Sequence, residues 1–345
     1  MNCYSILFVL ILLISTVCAV DEIFFLNIQS DKQRIGDAIV IHSGNEYAMI
    51  DVGYGKTTGD KAVSFNNLSK FLNKNKITNI EWILLTHNHP DHVGGIEDLL
   101  NLKVKNNKGK LVNLKVGTVF TKDYSKLDSD CGGENSDYSS PKEYRKKRED
   151  KWNTRKRNIK EKTNLYIITK KKIPDLKLGN YVFKLYNTDQ VFEKYGTVCE
   201  NLCTKCNCNT IEGCNENTNS IIAVARNGKV HYFFSGDIEN YPNKKEFNSD
   251  KIRTIQYWVD LAKKDFGIDH FDVFKASHHG FKRNNPVEVY QSAKPDKCIV
   301  SSKNVINEVV NNIKNGNKNV KIYYTGDGTV KITQEKNKIK RNYSD

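Results

Sequence analysis

Residues 81–85 read Glu-Trp-Ile-Leu-Leu and run directly into Thr86-His87-Asn88-His89-Pro90-Asp91-His92. The first stretch is short and apolar, consistent with a buried strand. The second holds four ligand-type side chains within six residues, and three of the chain's eight histidines. Adjacent imidazoles are costly in an apolar core, so packing does not explain them. A loop between a buried strand and a helix opening near Gly94 would aim His87, His89, Asp91 and His92 at one point. A solvated polar loop is the plain alternative, and it leaves that density of histidine unexplained. Imidazole with carboxylate suits Zn²⁺, with Mn²⁺ or Fe²⁺ as alternatives.

Working outward, residues 24–51 read as strands. Ala38-Ile39-Val40-Ile41 and Tyr47-Ala48-Met49-Ile50 make a hairpin through Ser43-Gly44-Asn45. Residues 60–73 place Val63, Leu68, Phe71 and Leu72 on one helical face. Toward the C-terminus, residues 181–185 read as a strand. Residues 221–225 and 230–234 form a second hairpin through Asn227-Gly228. Residues 255–266 are amphipathic, and residues 271–276 are a strand ending at Ser277-His278-His279-Gly280. Val305, Ile306, Val309, Val310 and Ile313 fit one helical stripe. Residues 320–332 read as a closing hairpin through Gly326-Asp327-Gly328. Strands and helices in two successive rounds predict one α/β domain over residues 20–345, with layered sheets and outer helices.

At this point a resemblance becomes plain. His87, His89, Asp91 and His92, followed by Gly94-Gly95, match the H-x-H-x-D-H signature of the metallo-β-lactamase fold superfamily. The order of four further segments is similar to the metallo-β-lactamase domain of the bacterial DNA-uptake competence protein and related secreted hydrolases. These are Gly36-Asp37-Ala38-Ile39 with Ile50-Asp51-Val52-Gly53, Asn219-Ser220 before Ser235-Gly236-Asp237, residues 272–280, and Thr325-Gly326-Asp327-Gly328-Thr329. The resemblance implies an αββα four-layer sandwich with metal ligands on the loops at one edge. His87 and His89 would hold one ion. Asp91, His92 and His279 would hold a second, with Asp237 bridging both. Asp51 would orient the histidine loop from behind. His278 would donate to a substrate oxyanion or protonate a leaving group, making Asp91 and His278 the catalytic pair. Two ions can hold a hydroxide between them and stabilise attacking and leaving oxygens. One departure stands out. The superfamily often has another histidine between the signature and the bridging aspartate, yet no histidine occurs from Val93 to Val230. His231, in the strand before Asp237, is the nearest substitute, and an enzyme with a single ion is the alternative.

The formal charge is +14, and it is unevenly placed. Residues 141–172 hold 14 Lys and Arg against 4 Asp and Glu. The plain reading is a solvated insertion, spanning about residues 121–172. The sharper one is a phosphate-contacting arm for nucleic acid. A second insertion, residues 196–216, holds Cys199, Cys203, Cys206, Cys208 and Cys214. Residues 6–17 are almost purely apolar and end near Ala19, as a secretory signal does, with an uncleaved anchor as the alternative. An oxidising compartment favours disulfides among Cys131 and those five, leaving Cys298 a buried thiol. A zinc knot on Cys203, Cys206, Cys208 and Cys214 is the rival. Sequons at Asn67 and Asn342 fit the same route. Past the leader no apolar run is long enough to span a bilayer, which excludes a multi-span membrane protein and predicts no stable membrane association after cleavage.

Together these readings predict a secreted metal-dependent hydrolase of a phosphodiester, either nucleic acid or a small ester. The alternative is a non-catalytic binding protein that keeps the fold and presents its insertions to a partner.

Overall fold

The computed structural model describes residues 20–29, 36–56, 61–124, 141–188, 216–239, 254–335 and 338–344. The leader, the six clustered or loop cysteines and their proposed pairings lie outside these residues. Among the described residues no helix is long and apolar enough to cross a membrane.

Two β-sheets stack face to face. The first holds β1 (Asp21–Phe25), β2 (Ala38–Ser43), β3 (Glu46–Val52), β4 (Asn79–Leu84), β7 (Lys115–Thr121), β8 (Asn164–Ile167), β16 (Thr329–Glu335) and β17 (Lys338–Ser344), in the order β17-β16-β1-β2-β3-β4-β7-β8. The second holds β9 (Leu176–Leu178), β10 (Tyr181–Tyr186), β11 (Ile222–Asn227), β12 (Val230–Phe234), β13 (Val273–Lys275), β14 (Lys297–Val300) and β15 (Lys321–Tyr324), neighbours in chain order. A small ribbon, β5 (Lys103–Lys105) with β6 (Leu111–Asn113), stands apart.

Alternation along the strands decides the layers, because successive side chains point to opposite faces. Ile23 and Phe25 point inward to meet Tyr232 and Phe234 of the opposite sheet, while Phe24 between them points outward. The outer face of the first sheet is covered by α1 (Lys61–Lys74), through Phe65, Leu68 and Leu72. The outer face of the second is covered by α5 (Ile255–Phe266), α6 (Val287–Ala293) and α7 (Asn307–Gly316). The result is the expected four-layer order: helix, sheet, sheet, helix. Helix α5 is capped at both ends. Tyr257 N–H donates to Thr254 Oγ1, and Gly267 takes the left-handed conformation that ends it.

Three expectations need correction. Residues 320–332 are not a hairpin. β15 pairs in parallel with β14 in the second sheet, whereas β16 pairs antiparallel with β1 in the first. The Gly-Asp-Gly turn carries the chain from one sheet to the other. The stripe at 305–313 is narrower than its pattern. Only Val309 and Ile313 are buried in α7, and Ile306 lies exposed before it. The basic segment is built into the fold. Its helix α4 (Pro141–Lys162) leads into β8, which extends the first sheet parallel to β7, and Ile159 joins the core beneath α1. The Asn67 sequon sits inside α1, where the Asn67 side chain donates to the Asn27 carbonyl at 3.0 Å. Cys298 is buried in β14 as a free thiol, as expected.

Candidate metal centre

The signature loop leaves β4 and enters a short helix, α2 (Pro90–Val93), with proline at its first turn, where the missing N–H costs nothing. Gly94 is required there, because a Cβ would come within 2.2 Å of the Pro90 carbonyl. The second ligand segment leaves β12 as Ser235-Gly236-Asp237. Asp237 N–H donates to Ser220 Oγ at 3.1 Å, which accounts for the Asn219-Ser220 element placed upstream. The third leaves β13 as Ser277-His278-His279. His278 and His279 both adopt left-handed backbone, with φ of 47° and 55°. Two such residues in succession are strained, and they turn both imidazoles toward the sheet edge.

These segments converge on one oxygen. Asp237 Oδ2 has four imidazole Nε2 atoms around it: His92 at 3.0 Å, His279 at 3.3 Å, His87 at 3.8 Å and His278 at 3.8 Å. Asp91 Oδ2 lies 3.1 Å from His279 Nε2 and 3.7 Å from His92 Nε2. His89 Nδ1 lies 3.0 Å from His87 Nε2. Thus His87, His89, Asp91, His92, Asp237, His278 and His279 all come together.

Behind this ring stands a second set of polar groups. Asp51, itself at a left-handed φ of 56°, accepts from His92 Nδ1 at 2.7 Å and from Thr86 N–H at 2.8 Å. It also accepts from the Thr86 hydroxyl at 2.7 Å, which leaves Thr86 Oγ1 to accept from His87 Nδ1 at 3.1 Å. One carboxylate thus sets the ring orientation of His92 directly and of His87 through one hydroxyl, freeing both Nε2 atoms for an ion. Ser301 Oγ does the same for His279 Nδ1 at 3.0 Å. Asp37 lies behind His92 and His279, at 3.7 and 3.6 Å from their Nδ1 atoms, and is paired with the buried Lys275 ammonium at 2.6 Å.

The electrostatics follow from crowding. Burial alone would lower the His92 and His279 imidazoles. Asp237, with Asp51 and Asp91 for His92 and Asp37 for His279, outweighs it and holds both well above the ordinary range. Burial and the neighbouring imidazoles of His92 and His89 hold His87 well below it. Burial also holds His278 down at about 4. Asp237 is driven well below the usual carboxylate range, because His279, His92 and His278 outweigh its own burial. Lys275 is raised despite burial, because Asp37 faces it.

The donor set fits a divalent cation. Asp237 Oδ1 is buried without a hydrogen-bond partner, and imidazole nitrogens crowd one carboxylate at separations that an ion between them would satisfy. Two sets of side chains could each hold an ion: His92, Asp237 and His279 with Asp37, and His87 and His89 with Asp237. Asp91 stands closer than Asp37 to the Nε2 side of the first set, which leaves Asp37 as its buttress. His231 is removed from the site. It lies on β12 facing Phe266, ring centroids 5.5 Å apart. His42 stacks on Tyr47 and His270 pairs with Asp269, both away from the centre.

Asp37 and Lys275 counted in sequence only as members of longer motif segments, and Ser301, at the end of an apolar strand, and Asn284, in a polar turn, carried no signal of their own. The role of α4 was also hidden. Its Trp152 is buried against Tyr124, whose hydroxyl donates to the Thr86 carbonyl at 3.0 Å. Arg155 donates to Asn88 Oδ1 at 2.8 Å, inside the signature loop.

Residues 31–120 match the sequence model of the metallo-beta-lactamase superfamily, a span that includes the histidine loop and ends before Asp237 and His279. No curated protein matches the chain. Among solved structures, the metallo-beta-lactamase fold protein YhfI from Bacillus subtilis aligns over 94% of this chain and 100% of its own, at 10% identity and a TM-score of 0.47. Unliganded yeast PDE1 aligns over 89% of this chain and 97% of its own, at 11% identity and a TM-score of 0.43. A diphosphatase from the PhnP family aligns over 81% and 86%, at 11% identity and a TM-score of 0.39. Likeness this distant carries no argument about chemistry. The sequence match supports the metallo-β-lactamase superfamily, and the mixed α/β architecture is consistent with its sandwich.

Proposed function

We propose that this chain is a secreted, metal-dependent hydrolase of phosphodiester bonds. The observation that carries the reading is the ring of imidazoles around the single Asp237 carboxylate oxygen, which has no other chemical use so economical. A divalent ion held there supplies Lewis acidity and a nucleophile from water near neutral pH. His87, His89 and Asp237 would hold one ion, and Asp91, His92, Asp237 and His279 the other. Zn²⁺ suits this nitrogen-rich set, with Mn²⁺ or Fe²⁺ as alternatives. Asp51, Thr86 and Ser301 keep the imidazoles in the tautomers that leave Nε2 free.

A phosphodiester substrate is supported by what surrounds the centre. Helix α4 docks through Arg155 on the signature loop, and its exposed side chains include Lys146, Lys151, Arg157, Lys160 and Lys162 against Glu149, Asp150 and Glu161. Such a surface suits the backbone of a nucleic acid or another polyanion. At the rim Phe281 is 49% exposed and stacks on His278. It offers an apolar face to the organic part of an ester. The likeness of the motif order to the DNA-uptake competence domain points the same way.

The test is turnover of bis(4-nitrophenyl) phosphate and of an oligonucleotide by protein from a secretory host, supplied with Zn²⁺ or Mn²⁺. Asp91→Ala and His92→Ala should abolish hydrolysis with the circular dichroism spectrum unchanged. Parental activity in both variants sinks the proposal. Folded, metal-loaded parent protein that turns over neither substrate would favour the non-catalytic binding reading instead.

A further inference from the structure

The histidine that the superfamily often supplies between its signature and the bridging aspartate has no counterpart in this chain. We infer that His278 takes its place, as the third imidazole of the His87–His89 ion site. The inference rests on the metal-centre reading above and adds a ligand to it. It replaces the acid or oxyanion role suggested by sequence.

The hydrogen bonds around His278 settle which nitrogen is available. Asn284 Nδ2 donates to the Ile238 carbonyl at 3.4 Å, which turns its Oδ1 toward His278 Nδ1 at 3.2 Å. His278 Nδ1 is therefore the N–H donor, and Nε2 carries the lone pair. On the Nε2 side, Asn217 Nδ2 approaches at 3.5 Å while donating to Glu239 Oε1, so it too presents a donor to that lone pair. A ligating histidine typically donates its far N–H to a fixed acceptor in this way, and the buried Asn284 carbonyl is that acceptor.

Position agrees with tautomer. His278 Nε2 and His279 Nε2 reach Asp237 Oδ2 at 3.8 and 3.3 Å, with ring planes 62° apart. One residue joins the set of His92 and Asp91. The other, His278, is left over from that set and reaches the same oxygen at the distance His87 does, 3.8 Å. The side chain is 16% exposed, so it lies at the edge of the site and not in the core. The backbone is left-handed at both histidines. Its effect is to bring two consecutive imidazoles to one carboxylate oxygen. Three imidazoles and a shared carboxylate would supply four donors, a set that suits Zn²⁺.

The test is metal content of the full chain by elemental mass spectrometry after equilibration with Zn²⁺, alongside Co²⁺ absorption spectra. Asparagine tolerates left-handed backbone, so H278N removes the imidazole while keeping the turn. Two ions should bind the parent. H278N should weaken one of them by at least about 10-fold, with an unchanged thermal melt of the metal-free protein. H279N should weaken the other. As a positive signature, H278C loaded with Co²⁺ should gain a thiolate-to-cobalt charge-transfer band in the near ultraviolet. If H278N binds two ions as tightly as the parent and H278C shows no such band, the inference is wrong, while the two-ion hydrolase reading survives. If the parent binds a single ion, there is no second set for His278 to complete, and the inference also fails. If the folded parent binds none, both readings fall together.

Discussion

On one flank of Asp237, His92 and His279 are enclosed, and each is held from behind by a group on a sheet strand or its end: Asp51 at 2.7 Å and Ser301 at 3.0 Å. Asp37 and Lys275 stand behind both. On the other flank His87 is enclosed, but His89 is half-buried and His278 is at the rim. The supports there are longer. Thr86 reaches His87 at 3.1 Å, and Asn284 reaches His278 at 3.2 Å. The signature loop on this flank also leans on a surface helix, through Arg155 and through Trp152 by way of Tyr124. The difference separates two tasks. A ligand set held by the sheets keeps its ion, whereas a set at the rim admits water and substrate and relies on α4 to stay in shape.

Three substitutions would break or sharpen this contrast. The largest effect belongs to Asp237→Ala, which removes the one oxygen common to both flanks. It should abolish binding of both ions and all hydrolysis, read by metal content and turnover. Retention of one ion would mean that the flanks are independent and the carboxylate is not shared. Next is Trp152→Ala. The side chain is fully buried against Tyr124, so the change should lower unfolding free energy by about 3–5 kcal/mol in urea titrations. The contrast further requires that ion affinity on the His87 flank weaken more than on the His92 flank. Equal weakening would show that α4 supports the whole centre. The smallest effect is that of Asp51→Asn, which keeps volume but leaves a neutral acceptor. Isothermal titration should show metal affinity reduced about 10- to 100-fold, chiefly on the His92 flank, which Asp51 touches directly. A larger loss on the His87 flank would mean that the Thr86 relay matters more than the direct bond.

How much of this was legible in the chain depends on how local each feature is. The signature loop was readable because strand, loop and ligands are contiguous. The helix at 255–266 was readable because its apolar stripe occupies one short window. The closing hairpin failed for the opposite reason. β15 and β16 look like hairpin arms in a local window, and only the strands they join, β14 and β1, reveal that they belong to different sheets. α4 failed similarly. Its charge dominates a compositional reading, while the residues that dock it, apolar Trp152 and Ile159 with Arg155 between them, are a small minority on one face.

By itself the sequence determined the ligand types, the loop that presents His87, His89, Asp91 and His92, and the alternation that makes two one-sided sheets need each other. These are decided within a few residues, by side-chain chemistry and backbone periodicity. Only the tertiary structure decided which distant groups complete the centre. Asp91 meets His279 across 188 positions of chain, at 3.1 Å. That Asp37, Lys275, Ser301 and Asn284 stand behind the imidazoles, and that His278 and His279 both reach one oxygen of Asp237, follows from how the ends of β2, β12, β13 and β14 align at one edge of the sandwich. That alignment is set by the packing of two sheets and by the hand of a short turn, and neither is written in any single window of the chain.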